Sequence, residues 1–394
     1  MINQEISLTL PEVLPRLTPP LQAKLRYSVA LLQKAERLAT QYSPSNGYYL
    51  AFSGGKDSQA LYHVARLAGV QFRAHMSLTS IDPPEVIRFV RQQYPDVELI
   101  KPRDSIFNIA VRRQILPTMR VRWCCAEYKE NAGAGRVTLI GIRHEESSRR
   151  ARRNEVEISS RKFSGTLAEL DTYRETRATK ESKPHRGRKS KAEQITIVNA
   201  SGERTLGCIN GKESLLISPI IHWSEDDVWQ FLRAVGASHC PLYDEGWHRI
   251  GCICCPMSSA KQKREEEKRW PHVKRGWIKA IRAIRAGGVF ADTYIWWNIR
   301  FGTRLCYPPP SSTIKSVVNS YKKDIWRAHQ PGTLVGFSDS SSSVRLTDEQ
   351  EQQIAENIYD WWTSGKAYKS WYAEKFCQQS LNFDDSNNDD GGLQ

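Results

Sequence analysis

The sequence predicts an α/β fold, a parallel sheet flanked by helices with a helical C-terminal region behind it. Three observations lead there. Short apolar or aromatic runs alternate with helical patterns between Tyr48 and Lys101, a glycine pair opens the first of those helices, and beyond Pro256 helical spacing takes over. Alternation of this kind builds parallel sheets, whose ligands gather at the carboxyl ends of the strands.

In chain order, Leu21, Leu25, Val29, Leu32 and Leu38 recur at helical spacing within residues 21–42, with Lys24, Arg26, Lys34 and Arg37 off the apolar stripe. Tyr48 to Phe52 reads as a buried strand. Gly54 and Gly55 then let the chain turn sharply before a helix running to Ala68. The result is an anion cradle. Main-chain N–H groups of the turn and of the first helical residues converge, Ser53 and Ser58 add hydroxyls, and Lys56 adds charge, so a phosphate fits at the positive helix end. Further strands are expected at Gln71 to Met76, Val97 to Lys101 and Arg136 to Ile142, with a helix from Val86 to Tyr94. The core resumes at Leu216 to Ile221. Ser224 caps a helix to about Val235, in which Glu225 and Asp226 suit the helix dipole and need no catalytic role.

With 394 residues and 40% hydrophobic content the chain can bury a full core. It holds no apolar run of membrane-spanning length, and its first residues lack a basic stretch followed by an apolar one. A soluble cytoplasmic protein without membrane partners is expected. A net charge of +14 points to anionic partners beyond a nucleotide alone. Much of it lies between Arg149 and Lys191, where fourteen Lys or Arg stand against six Asp or Glu. This basic insertion, about residues 150–215, reads either as a solvated linker or as a contact for DNA or RNA phosphates. Within it Lys183 to Lys191 looks like a flexible arm.

Nine cysteines in tight groups fit a metal or redox site better than a disulfide framework. Cys124 and Cys125 are adjacent, beside Arg120 and Arg122, where positive charge favours thiolates. Cys252 and Cys255 form a C-x-x-C after Gly251. Together they supply four thiolates, which suit either an iron-sulfur cluster or zinc, with Cys240 and Cys254 as spare candidates.

The turn Ser53-Gly54-Gly55-Lys56-Asp57-Ser58 is not a Walker loop, which needs four residues between its first glycine and the Gly-Lys pair. It resembles the PP-loop of the adenine nucleotide alpha-hydrolase superfamily. Gly141 to Ser148, Pro219 to Tyr243 and the paired cysteine groups are similar to segments of its phosphoadenosine phosphosulfate reductase family. The similarity covers roughly Gly47 to Pro256, interrupted by the basic insertion.

The resemblance implies a Rossmann-like PP-loop sheet and ATP or an adenylyl sulfonucleotide bound by Ser53, Gly54, Gly55, Lys56, Asp57, Ser58, Asp82 and Arg143. Lys56, Asp57 and Arg143 are the implied catalytic set. It also implies a [4Fe-4S] cluster on Cys124, Cys125, Cys252 and Cys255, and Mg²⁺ with ATP. One departure stands out. The reductases carry a nucleophilic cysteine in a Glu-Cys-Gly-x-His context, whereas the last cysteine here, Cys377, lies in Lys375-Phe376-Cys377-Gln378-Gln379.

The expected activity is therefore sulfur transfer, on the pattern of DNA phosphorothioation proteins, with a sulfur-donor or thioredoxin-like protein as a further partner. A true sulfonucleotide reductase and a non-catalytic iron-sulfur nucleic-acid-binding module are the alternatives. The expected organisation is an N-terminal helical segment at 1–45, the nucleotide domain at 46–260, a helical region at 261–380 and an acidic disordered tail at 381–394.

Overall fold

The computed structural model describes residues 8–113, 115–119, 121–181, 196–198, 204–209, 211–286 and 347–366. The expected basic arm at 183–191, the acidic tail and Cys377 lie outside them. The chain divides into two compact units, one of residues 1–102 and 125–251, the other of residues 103–124 and 252–394. Each is discontinuous in sequence. Residues 103–124 fall in the middle of the expected nucleotide segment yet belong to the second unit.

The first unit is a mixed α/β layer built on a seven-stranded sheet. Its strands are β1 (Tyr48–Ala51), β2 (Phe72–Ser77), β3 (Glu98–Ile100), β4 (Val137–Leu139), β5 (Val156–Ile158), β6 (Ser164–Gly165) and β9 (Leu215–Ile217), in the order β3-β2-β1-β4-β9-β5-β6. The five strands from β3 to β9 run parallel, as expected. Helices α1 (Pro19–Tyr42), α2 (Lys56–Ala68), α3 (Pro84–Gln93), α4 (Leu167–Glu181) and α5 (Glu225–Ala234) belong to the same unit, with α1 packed on α2 and α2 on α5. The apolar stripe predicted for α1 is its buried face: Leu21, Leu25 and Leu32 are fully inaccessible. At the other end of α2, Gly69 closes the helix at φ +68°, a left-handed conformation suited to a residue without a Cβ.

The insertion is not simply a linker. Val156 to Ile158 joins the sheet antiparallel to β9, and Ser164–Gly165 extends it by one more short strand. Val156 and Ile158 are buried, so alternate apolar side chains hold this segment on the core despite its basic surroundings. A separate two-stranded hairpin pairs β7 (Thr196–Val198) with β8 (Arg204–Leu206).

In the second unit, helix Pro271–Ala286 packs against helices Ile106–Arg113 and Asp348–Ser364. The helical spacing expected beyond Pro256 is met first by two helices, Ala260–Arg269 and Pro271–Ala286. The break falls at Trp270, where backbone angles leave the helical region, and Pro271 starts the next helix because it has no N–H to contribute. The described tryptophans here are core. Trp277 meets Phe107 and Trp362 edge-on at ring separations of 5.1 and 5.0 Å, and the Trp362 indole donates to the Pro117 carbonyl at 2.7 Å.

Candidate nucleotide-binding site

At the carboxyl end of β1 the turn adopts the geometry its glycines allow. Gly54 sits at φ +74°, and a Cβ there would lie 2.7 Å from Cγ1 of Val86 and 3.0 Å from Cγ2 of Val90 on α3. Both the backbone angle and the space therefore call for glycine. Ser58 stitches the turn together: its hydroxyl donates to the Gly55 carbonyl at 2.8 Å and accepts the Ser53 N–H at 3.2 Å. Gln59 braces it from below by donating to the Gly54 carbonyl at 3.0 Å. The amides of Gly55, Asp57 and Ser58 make no main-chain hydrogen bond among the described residues. They are the unpaired donors that a helix start leaves for an anion.

The turn opens into a cavity of about 440 Å³ lined by Ser53, Gly55, Lys56, Asp57, Ser58 and, from the loop after β4, Gly141 to Arg143. That loop approaches closely. A Cβ on Gly141 would stand 2.8 Å from the Asp57 carbonyl oxygen, so only glycine lets the loop after β4 touch the start of α2. The loop is anchored by the His144 N–H, which donates to the Ile221 carbonyl at 2.9 Å.

Closely paired charged groups set the electrostatics. Arg143 is 2% exposed, and its Nε donates to Oδ1 of Asp57 at 2.6 Å while Nη1 donates to Glu145 at 2.9 Å. Burial opposes its charge, but Asp57 and the neighbouring glutamates outweigh that and raise its pKa. Lys56, 6% exposed, places Nζ 3.4 Å from Glu225 and 3.8 Å from Oδ2 of Asp57, and donates to the His248 carbonyl. Asp57 thus divides its two oxygens between the two cations. Cations held in a preformed cavity beside free amides are suited to gripping a phosphate chain.

The structure therefore gathers Ser53, Gly54, Gly55, Lys56, Asp57, Ser58 and Arg143 in one place. Asp82 it does not. Its carboxylate accepts from the N–H and hydroxyl of Thr79 at 2.5 and 2.9 Å, closing its own turn after β2, and it is not among the residues lining the cavity. Glu225, read from sequence as a helix-start charge, is an ion-pair partner of Lys56 and lines the cavity, as do Tyr243, His248 and Arg249. Only the position of its helix relative to α2 reveals that role.

A family model described as phosphoadenosine phosphosulfate reductase domain matches residues 47–258, more than half of the chain. The chain belongs to that family. The match covers the PP-loop, the Arg143 loop and the second cysteine group. Among curated proteins, an uncharacterized protein of Methanocaldococcus jannaschii is 23% identical over 245 residues, covering 59% of this chain and 41% of its own length. Adenosine 5'-phosphosulfate reductase 2 of Bacillus subtilis is 36% identical over 58 residues, 15% of this chain and 25% of that protein. The chain thus spans less than half the length of these relatives. Among solved structures, phosphoadenylyl-sulfate reductase from Candida auris matches at 15% identity and a TM-score of 0.25, covering 60% of this chain and 96% of that one. The FMN adenylyltransferase of Candida glabrata, in complex with FAD and inorganic pyrophosphate, matches at 14% identity and a TM-score of 0.37, covering 63% and 70%. The family member described here has a PP-loop adenine nucleotide-binding domain.

The cysteines are arranged differently from the phosphate site. Cys124, Cys252 and Cys255 fall in the second unit and Cys125 in the first. Among the described residues no group of three or more His, Cys, Asp or Glu side chains is placed to hold a metal ion. The spare candidates are buried. Cys240 is inaccessible, and burial raises its pKa. Cys254 is 1% exposed with φ +54°; its N–H donates to Glu266 at 2.5 Å and its Sγ accepts the Tyr359 hydroxyl at 3.4 Å. No helix among the described residues is long and apolar enough to cross a membrane.

Proposed function

We propose that this family member is a PP-loop enzyme that binds ATP or an adenylyl sulfonucleotide and acts in sulfur transfer, with nucleic acid as the acceptor class. The observation that carries the reading is the set of open amides at Gly55, Asp57 and Ser58, residues that line one cavity together with Lys56 and Arg143.

With ATP, a substrate oxygen attacks the α-phosphorus, the bond from that phosphorus to the bridging oxygen breaks, and pyrophosphate leaves with the electron pair. The open amides and Lys56 are suited to stabilising the charge that develops on the departing phosphates. Asp57 positions both cations, and Arg143 is held against the cavity by Asp57 and Glu145 before any ligand arrives. Mg²⁺, where ATP brings it, would supply positive charge to offset that of the phosphates. The carboxylates nearest the turn, Asp57 and Glu225, are committed to Arg143 and Lys56, so no step is assigned to the ion.

Nucleic acid as acceptor is supported by Arg149-Arg150-Ala151-Arg152-Arg153, which follows the cavity loop directly. Arg150 lines the cavity while Arg149 and Arg152 are exposed. An iron-sulfur cluster on Cys124, Cys125, Cys252 and Cys255 belongs to the same proposal on the strength of its four thiols. Among the described residues no group of three or more such side chains is placed to hold a metal ion, so no step runs through a cluster. Iron, labile sulfide and zinc content of anaerobically purified protein decides the metal.

Pyrophosphate release from ATP, measured on that protein with and without DNA, tests the activity. Release stimulated by DNA is expected. Sulfite release with thioredoxin, lost in Cys377→Ser, would make the protein a reductase instead. Salt-sensitive DNA binding without turnover of ATP or sulfonucleotide would make it a binding module.

A further inference from the structure

One donor of the phosphate turn is already occupied. The N–H of Lys56 donates to the hydroxyl oxygen of Tyr243 at 2.9 Å. The phenol tip lies beside the turn: a Cβ on Gly55 would be 3.6 Å from it, and Lys56 Nζ stands 6.0 Å from the ring centroid. Two features fix the ring. Tyr243 ends a 3₁₀ turn begun by Pro241, and its ring meets Trp229 edge-on at 5.0 Å. Among the described residues the hydroxyl donates its own hydrogen to no protein group, although it lines the cavity.

We propose that Tyr243 is a phosphate-positioning residue: its phenol takes the Lys56 amide hydrogen and offers its own hydroxyl hydrogen to the phosphate chain, lengthening the reach of the turn. The proposal rests on the nucleotide reading above. An oxygen that accepts one hydrogen bond becomes a better donor through its own O–H, so a chain from amide to phenol to phosphate strengthens along its length. A bond from a neutral donor to a charged phosphate oxygen is also stronger than one between neutral groups. Burial raises the Tyr243 pKa, which keeps the hydroxyl protonated across the ordinary pH range. The alternative geometry is a latch, in which phosphate must displace the hydroxyl to reach the Lys56 N–H. The two predict opposite signs when the hydroxyl is removed.

Titrating wild type and Tyr243→Phe with inorganic pyrophosphate and with adenosine, by calorimetry, separates them. The relay predicts that Tyr243→Phe binds pyrophosphate about ten-fold more weakly, the order set by one hydrogen bond to a charged group, with adenosine binding unchanged. Equal or tighter pyrophosphate binding overturns the relay, and so does equal weakening of both ligands, which marks a structural role. Wild type that binds no pyrophosphate overturns the nucleotide reading as well, whereas equal binding by both proteins overturns the relay alone. Should Tyr243→Phe fail to fold, hydrogen exchange at the Lys56 amide of wild type carries the test. Exchange slows on adding pyrophosphate if the chain closes over that amide. Unchanged or faster exchange overturns the proposal.

Discussion

Nε of Arg143 donates to Oδ1 of Asp57 at 2.6 Å, tying the loop after β4 to the first turn of the helix after β1. Two segments 86 residues apart in sequence are thereby fixed relative to each other beside the cavity both residues line. Since Arg143 is almost inaccessible, removing it leaves the carboxylate without its main partner. Arg143→Gln is expected to lower stability by about 3 kcal/mol, the usual order for breaking one side of a buried pair. Adding Asp57→Asn should recover part of that loss. Urea unfolding of the two single variants and the double variant measures the coupling, and strictly additive losses would show that the pair is not cooperative.

Gly54→Ala combines a left-handed backbone with a Cβ pressed against Val86. A loss of about 1–3 kcal/mol is expected from the strain. Phosphate binding should fall further than stability, because the amides that follow would be re-aimed. Calorimetric titration with ATP beside a thermal melt checks both. Unaltered ATP affinity in a folded variant would show that the turn does not depend on this conformation.

The imidazole of His63 gives the protein an acid limit. Burial first, and then the nearby Arg66 guanidinium, lower its pKa to about 4, while its Nε2 meets the Tyr94 hydroxyl at 3.1 Å. A histidine whose folded pKa lies below its unfolded value of about 6.5 takes up protons on unfolding. Its contribution is therefore complete above about pH 6.5, shrinks as the pH falls, and is gone by about pH 4, a change of about 3 kcal/mol across the window. His75 and His222 are lowered by burial too and act in the same direction. Urea unfolding at stepped pH values should show the decline, and His63→Gln should flatten it. A slope unaffected by that change would assign the acid sensitivity elsewhere.

If nucleic acid is the acceptor, Arg149→Ala with Arg152→Ala should weaken DNA binding and reduce its dependence on salt. Two phosphate contacts removed would flatten the slope of log affinity against log salt by about 2. ATP binding should stay as it was, since neither side chain lines the cavity. Fluorescence anisotropy over a salt series reads the slope, and an unchanged slope would place the DNA contact, if any, on other residues.

Much of the site is legible in the sequence because its chemistry is local. Six consecutive residues, Ser53 to Ser58, carry the turn, its donors and its lysine, and short-range spacing reveals them. Arg143 is legible through its loop context, though its burial is not: an ion pair with Glu145 or Glu146 looks the same in sequence whether it lies on the surface or inside. Glu225 and Tyr243 escape sequence reading for another reason. Their roles come from α5 and the Pro241 turn standing opposite α2, and no local pattern encodes which helix a side chain will face. Asp82 shows the converse, a residue of the right type whose carboxylate is taken up by its own turn. In the fold, the parallel strands follow from their apolar runs, whereas Val156 to Ile158 is hidden by the arginines around it. Trp270 and Pro271 show a proline overriding an otherwise continuous helical pattern.

The antiparallel strand β5 has a last consequence. It lies along β9, covering main-chain groups that would otherwise end the parallel part of the sheet. A shortened chain lacking residues 150–214 would lose that cover and leave β9 with no neighbour on one side. Such a bare margin recruits strands from other molecules. Trimming the basic segment to study nucleotide chemistry alone should thus yield fibrils or soluble clumps in place of a smaller enzyme.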